Sequence, residues 1–592
     1  MGFSSLKWRV ASIGLVASIL CSPLISLASE ANNPVEKEAT EHRVSEVESV
    51  LAASPADQVN TMVLPKEDAP QEDVLPEALS PLVYQLQNHL VLDIYQHWAG
   101  DLDWKRLRLF YVENEFQAVW LENEMPSEKA ERWLDTLLHA ENEGLDSEEY
   151  HIQAIQALWA AKRIRSKARL ELLLTDAFFR YSIEVGAGYQ YPRVVDNDWY
   201  LRGPKVQPIR LLKKALVADN IYRQLDELPP PHPGYHRLKM ALKLYEFYAS
   251  NGDWIKIPHG RTLRLGSWHY QVSLLRKRLL QEGYMLDEMP VDEYLYDREL
   301  ERIVIAYQTT HGLSADGLVG SKTRGALNVP IYERMNQIRY SMERWRWLPR
   351  DLGQRYVMVN MAGYRLNLVE NGKTSLNMPV IIGKFYRSTP AFKDRIRYLE
   401  FNPRWNIPTR IAKEDLLPQQ VEDENFLESK NIGVFESWAV GAKEIDVNDI
   451  DWKNISLDRF PYRLQQKPGN FNSLGRVKFM FPNSFSVYLH DTPSKHLFKR
   501  SVRTFSSGCI RVSRPVSLAV HLLGKENGWQ ASAVRKIINS NETLRIDLKK
   551  PVPIYLLYWT TWVEEDGTIH FRDDVYQRNQ RIASMKSSSI KL

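Results

Sequence analysis

The spacing of apolar side chains changes period once along this chain, and that change limits what the chain can fold into. From residue 82 to about 250 the spacing is helical, with Leu170, Leu173, Leu174, Ala177 and Phe178 at i, i+3, i+4, i+7 and i+8. From residue 355 onward it alternates, as in Tyr356-Val-Met-Val-Asn-Met and Arg365-Leu-Asn-Leu-Val. A stripe spaced for a helix would be split between both faces of a strand, so the two regions need different architectures. At 592 residues the chain is also too long for one core, and three or four domains are expected. The expected fold is multidomain α+β: a helical scaffold at 81–255, a compact helical unit at 268–329, a mostly-β domain at 355–545, and a C-terminal strand and tail at 546–592.

The first eighty residues follow neither period. Lys7 and Arg9, an apolar run and Ser26-Leu27-Ala28 make residues 1–28 an export signal. The run is short of the ~20 residues a membrane span needs, which favours cleavage; left uncleaved, the segment would hold the protein at the inner membrane. Residues 29–80 hold twelve acidic side chains against three basic ones and no aromatic, the composition of a disordered acidic tether. A net charge of +4 supplies no concentrated basic field, so no nucleic-acid partner is expected. The only cysteines are Cys21 and Cys509, which excludes a disulfide framework and a thiolate metal site. After cleavage Cys509 is left without an internal partner.

Within the β region, Asn371-Gly372 predicts a type I′ hairpin between two strands, and Pro482-Asn483-Ser484 predicts a second hairpin returning along 485–490. Between them, residues 414–474 form a polar insertion with Trp438, Trp452 and Tyr462, long enough to be functional or separately folded. The chemistry gathers in His490-Asp491-Thr492-Pro493 and Phe505-Ser-Ser-Gly-Cys-Ile-Arg-Val512. A thiol attacks only as thiolate and needs a base within reach. His490, at a strand end nineteen residues before Cys509, can be that base. Gly508 permits close backbone approach, and the amides around Ser507, Gly508 and Cys509 can face an oxyanion. Arg511 can bind a carboxylate or lower the thiol pKa. His496, among Lys495, Lys499 and Arg500, is expected to be a solvated loop residue.

These segments carry two resemblances. Gln308, Gly312, Leu313, Asp316, Gly317, Gly320 and Thr323 match the pattern of the three-helix peptidoglycan-binding-like domain. Taken singly, the same residues are turn and cap chemistry. His490 and Ser507-Gly508-Cys509-Ile510-Arg511 resemble the signature of YkuD-type L,D-transpeptidases, with Ser507 where that signature has a second His. The order of scaffold, binding-like unit and insertion resembles the large periplasmic YcbB-type branch. The resemblance implies a YkuD-like catalytic domain with a capping insertion, acting on peptidoglycan stem peptides without metal or organic cofactor. It implies Cys509 as nucleophile and His490 as general acid/base, with Tyr488 and Arg511 lining the donor site. The donor would be a tetrapeptide and the acceptor a diamino acid, joined in a 3→3 cross-link; other cell-wall synthases are candidate partners. Two further readings stay open at this point: an inactive wall-binding scaffold, and the same thioester resolved by water or by a lysine of an anchored protein.

Overall fold

The computed structural model describes residues 80–91, 102–189, 192–217, 221–285, 287, 290–455, 460–524 and 527–589. The export signal, Cys21 and all but the last residue of the acidic tether lie outside these residues. Among the described residues no helix is long and apolar enough to cross a membrane.

The helical region is organised by α1 (Ile164–Ala187). Its predicted stripe is buried against Trp120, Trp133 and Tyr150, whose rings meet Phe178 and Tyr181 at centroid distances of 5.3–6.0 Å. Carboxyl groups also sit inside that core, Glu171 and Asp176 among them. The Glu171 carboxylate accepts hydrogen bonds from the Tyr111 hydroxyl and the Val119 and Trp120 amides, and burial raises its pKa to about 7.

Helical pattern runs on to residue 250, but the helical core does not. Helix α2 (Pro233–Ser250) sends Tyr235, Leu238, Leu242 and Tyr245 into the same apolar cluster as the β domain, together with Trp199 and Trp254. The scaffold expected at 81–255 is therefore divided: most apolar residues from Leu82 to Leu228 share a core of their own, whereas Val195, Trp199, Leu201 and the last helix belong to the next one. Its amphipathic pattern shows only that it packs, not against what.

The compact unit contains α3 (Tyr270–Gln281), α4 (Arg298–Thr310) and α5 (Ser321–Leu327), as the sequence predicts. Its motif residues meet at Gln308, which is buried. The Gln308 amide donates to Asp316, to the Leu318 carbonyl and to Thr323, and its oxygen accepts from the Gly317 amide. Helix α6 (Ile331–Arg346) then leads into the β domain.

Eight strands of that domain close into a ring: β1 (Arg355–Asn360), β2 (Arg365–Glu370), β3 (Lys373–Gly383), β4 (Phe392–Phe401), and, after the insertion, strands from residue 477 onward. Asn371 and Gly372 both have positive φ (51° and 76°), the geometry a type I′ turn demands between β2 and β3. The insertion starts at Trp405, nine residues before the expected 414. It has its own sheet of β5 (Trp405–Asn406), β6 (Ile432–Phe435), β7 (Glu444–Ile445) and β8 (Arg463–Gln466), and its own core. Trp452 is buried in that core, while Trp438 is exposed. The second hairpin pairs β9 (Val477–Met480) with only two residues, β10 (Leu489–His490). Residues 485–488, expected to be strand, form a loop instead, because Asn483 Oδ1 accepts from the Phe485 and Val487 amides.

Next come β11 (Thr504–Ser506), β12 (Ile510–Val512), α7 (Pro515–Leu523) and β13 (Leu544–Leu557). The order around the sheet is β3-β12-β10-β9-β4-β13-β1-β2, with β2 pairing back to β3 and β11 parallel beside the end of β3. A domain limit at 545/546 would cut β13, which lies between β4 and β1 in the body of the sheet. The segment expected to be a separate strand and tail is thus a structural part of the β domain.

Candidate active site

Alternation along the strands sorts the site from the core. Val477, Phe479, Leu489, Ile510 and Val512 point into the barrel and are buried. Lys478, His490 and Arg511 point the other way and stand directly opposite one another across β9, β10 and β12. Cys509, two residues before Arg511, opens onto that same face.

The turn carrying the thiol is held from several sides. Gly508 has φ 119°, a region open essentially to glycine. Its amide donates to Ser506 Oγ, and the same hydroxyl donates to the Cys509 carbonyl. The Gly508 carbonyl accepts from Thr389 Oγ1 at 2.7 Å, while Thr389 Oγ1 accepts from the Gly383 amide at 3.0 Å. With the Gly508 amide engaged, the Cys509 N–H is left without a partner among the described residues. Ser507 is exposed, and its hydroxyl accepts from Arg387 rather than facing the thiol.

The thiol donates to the Ser486 carbonyl at 3.6 Å. Ser486 sits at φ 55°, and this left-handed residue turns its carbonyl toward Cys509. Burial pushes the thiol pKa up, opposed by bonds from the Tyr488 amide and hydroxyl and by the charges of Lys478 and Arg511. Tyr488 lies just before β10, and its hydroxyl also meets the Trp405 side chain at the start of the insertion. His490 is buried, with Nδ1 2.6 Å from the Asp491 carbonyl and a second bond to the Leu474 backbone. Burial, reinforced by Arg511, pushes its pKa down to about 3, so the ring is neutral. Thiol and imidazole therefore share a face without a hydrogen bond joining them.

Arg387 links this turn to the insertion. Its guanidinium, 4% exposed, bonds Ser507 Oγ and forms ion pairs with Glu414 (2.6 Å) and Asp415 (2.5 Å). On the other side Tyr576 donates to the Gly383 carbonyl at 2.6 Å, and Arg578 donates to the Thr389 carbonyl at 3.0 Å. His496 is exposed, as expected, but it sits on a short 3₁₀ helix (Lys495–Lys499) rather than a loop. Among the described residues no cluster of His, Cys, Asp and Glu could hold a metal. Lys478, Arg387, Thr389 and Trp405 were not visible as site residues in the sequence. Only Lys478 left a trace, as a lysine on the outward positions of a strand whose hairpin partner ends in His490.

Residues 354–526 match the family model of the L,D-transpeptidase catalytic domain (YkuD). Residues 105–242 match a "Scaffold domain" model, and residues 269–327 match a "Putative peptidoglycan binding domain" model. A Haemophilus influenzae protein named "Putative L,D-transpeptidase" is 35% identical over 226 residues, 38% of this chain and 45% of that one. The chain thus spans less than half the length of this relative. A solved L,D-transpeptidase from Stackebrandtia nassauensis is 12% identical with a TM-score of 0.21, covering 51% of this chain and 96% of that one. Another, from Xylanimonas cellulosilytica, is 15% identical with a TM-score of 0.16, covering 50% and 98%. The chain is thus similar, segment by segment, to a scaffold domain, a putative peptidoglycan-binding domain and an L,D-transpeptidase catalytic domain.

Proposed function

We propose that this chain, with its L,D-transpeptidase catalytic domain, is an exported enzyme that forms 3→3 cross-links between peptidoglycan stem peptides in the periplasm. The supporting observation is the pairing of β10 with β12, which brings the His490 strand end beside the Cys509 turn. Cys509 attacks the carbonyl of the third residue of a tetrapeptide donor. His490 takes the thiol proton and gives it to the leaving amine, so a thioester replaces the peptide bond and the terminal residue departs. The side-chain amine of a diamino acid on a second stem then attacks the thioester, passing a proton back through His490 and regenerating the thiol. One amide replaces another, so no outside energy source is required. The free Cys509 N–H lies where charge develops on the attacked carbonyl oxygen. Tyr488 and Arg511 line the donor site.

Resolution by an amine rather than by water is supported by the insertion, which reaches the site through Trp405 and through Arg387 with Glu414 and Asp415. The test is incubation of the purified protein with tetrapeptide muropeptides and, separately, with a carbapenem. The expected result is 3→3 dimers and a covalent adduct on Cys509. Both should vanish in Cys509→Ala, and acylation should slow about 10²–10⁴-fold in His490→Ala. Dimers at wild-type yield from Cys509→Ala would reject the assignment.

A further inference from the structure

The row of outward-facing side chains beside Cys509 holds more positive charge than the reaction scheme uses. Lys478 stands opposite His490 on β9, and Arg511 stands opposite His490 on β12, so the neutral imidazole is flanked by two cations on one face. Among the described residues neither cation makes an ion pair with a carboxylate. Lys478 Nζ lies 4.3 Å from the centroid of the Tyr488 ring, whose hydroxyl bonds the thiol. Arg511 is half-buried, and its Nε is buried with no hydrogen-bond partner. The acid nearest in the ladder, Glu400 on β4, stands opposite Lys478 but also opposite Arg545 on β13, and it forms no ion pair with Lys478. A guanidinium left unpaired at a half-buried position is costly unless a ligand completes it.

We infer that Lys478 and Arg511 together form the receptor for the free carboxylate at the end of the donor peptide. This rests on the reaction proposed above. The terminal carboxylate is one residue beyond the attacked carbonyl, about 3.5 Å along the chain. Arg511 lies two residues beyond Cys509 on the same face of the strand, about 6.6 Å away at Cα, and Lys478 reaches in from two strands across. A carboxylate held there sets the scissile carbonyl over Sγ and fixes which bond is cut: the last one, next to the chain end. It also explains why the cations flank the thiol yet are not paired to it. When the terminal residue leaves as a free amino acid, its carboxylate leaves with it and the receptor is open again. Lys478 is then a specificity residue that the proposed reaction does not itself require.

The experiment compares two tetrapeptide donors identical except at the terminus, one a carboxylate and one a carboxamide, in the full-length protein. Acylation of Cys509 is followed by mass spectrometry, with kcat and KM measured for each donor. A charged hydrogen bond of this kind should favour the carboxylate by about ten- to a hundredfold in kcat/KM. In Lys478→Met the preference should fall by about tenfold or more, and Lys478→Arg should restore most of it. The ratio of donors is the decisive readout. Lys478 also acts on the thiol pKa, and a loss arising that way would fall equally on both donors. Equal loss on both, or an undiminished preference, would overturn the carboxylate receptor while leaving the transpeptidase reading intact. A wild-type protein that formed no acyl adduct with either donor or with a carbapenem would overturn both.

Discussion

At the scale of single residues, the Cys509 thiol and the His490 imidazole begin uncharged. Burial pushes the Cys509 thiol up from its ordinary value, and burial with Arg511 pushes His490 down to about 3. The thiolate fraction is therefore small at neutral pH and grows as pH rises, while the imidazole stays deprotonated from pH 4 upward. Alkylation of Cys509 by iodoacetamide should rise about tenfold per pH unit from 7 to 9 and show no inflection near 6.5. A plateau beginning near pH 6 would instead show a preformed thiolate–imidazolium pair. Cys509, His490, Gly508 and Arg511 stand out as candidates in the sequence because their chemistry is local: a glycine turn, a strand end, an adjacent cation. Lys478 and Thr389 do not, since their relation to the thiol depends on strand register and loop packing across 31 and 120 residues of sequence. The glycan-binding-like motif is the reverse case. Gln308, Asp316, Gly317 and Thr323 stand out in the sequence, yet in the fold they bond mainly to one another.

Among the elements, the insertion was visible as an interruption of the alternating period, and its separate core is what so long a polar segment needs. Its starting point was marked only by Asn402-Pro403, where Asn402 at φ 47° ends β4 just before Trp405, a turn that does not by itself distinguish an insertion from another hairpin. Nor could the sequence say which aromatics face substrate. Trp452 closes the small core with its indole N–H on the Val447 carbonyl, whereas Trp405 reaches Tyr488. Arg387 fastens the insertion to the Ser507 turn. In Arg387→Met the carboxylates of Glu414 and Asp415, 47% and 32% exposed, can turn to water, so the loosened contact should be tolerated. The expected effect is a severalfold rise in hydrolysed tripeptide relative to cross-linked dimer, with faster release of a bound carbapenem. An unchanged product ratio would mean that the insertion does not shield the thioester.

For the whole molecule, the surprise lies at the C-terminus. Residues beyond 545 were read as an appendage because a strand's place in a sheet is not written in its own pattern. In the fold they complete the barrel through β13 and then return, with Tyr576 and Arg578, to the loop that holds Gly508 through Thr389. A chain ended after residue 572 should keep its barrel but lose at least about tenfold in the rate of carbapenem acylation, measured by mass spectrometry. Wild-type acylation by the shortened chain would show that the brace is idle. The position of β13 also governs when this protein can fold. Both of its neighbours, β1 and β4, are made some 150 or more residues earlier, and neither can close its hydrogen-bonding edge until residue 557 has left the ribosome. A strand inserted last between two waiting edges gives a slow, long-range closure, and the open edges are sites for mispairing meanwhile. Holding the chain extended until synthesis is complete would protect it from that hazard, and a message truncated within β13, before residue 557, should yield aggregates rather than a weakened enzyme.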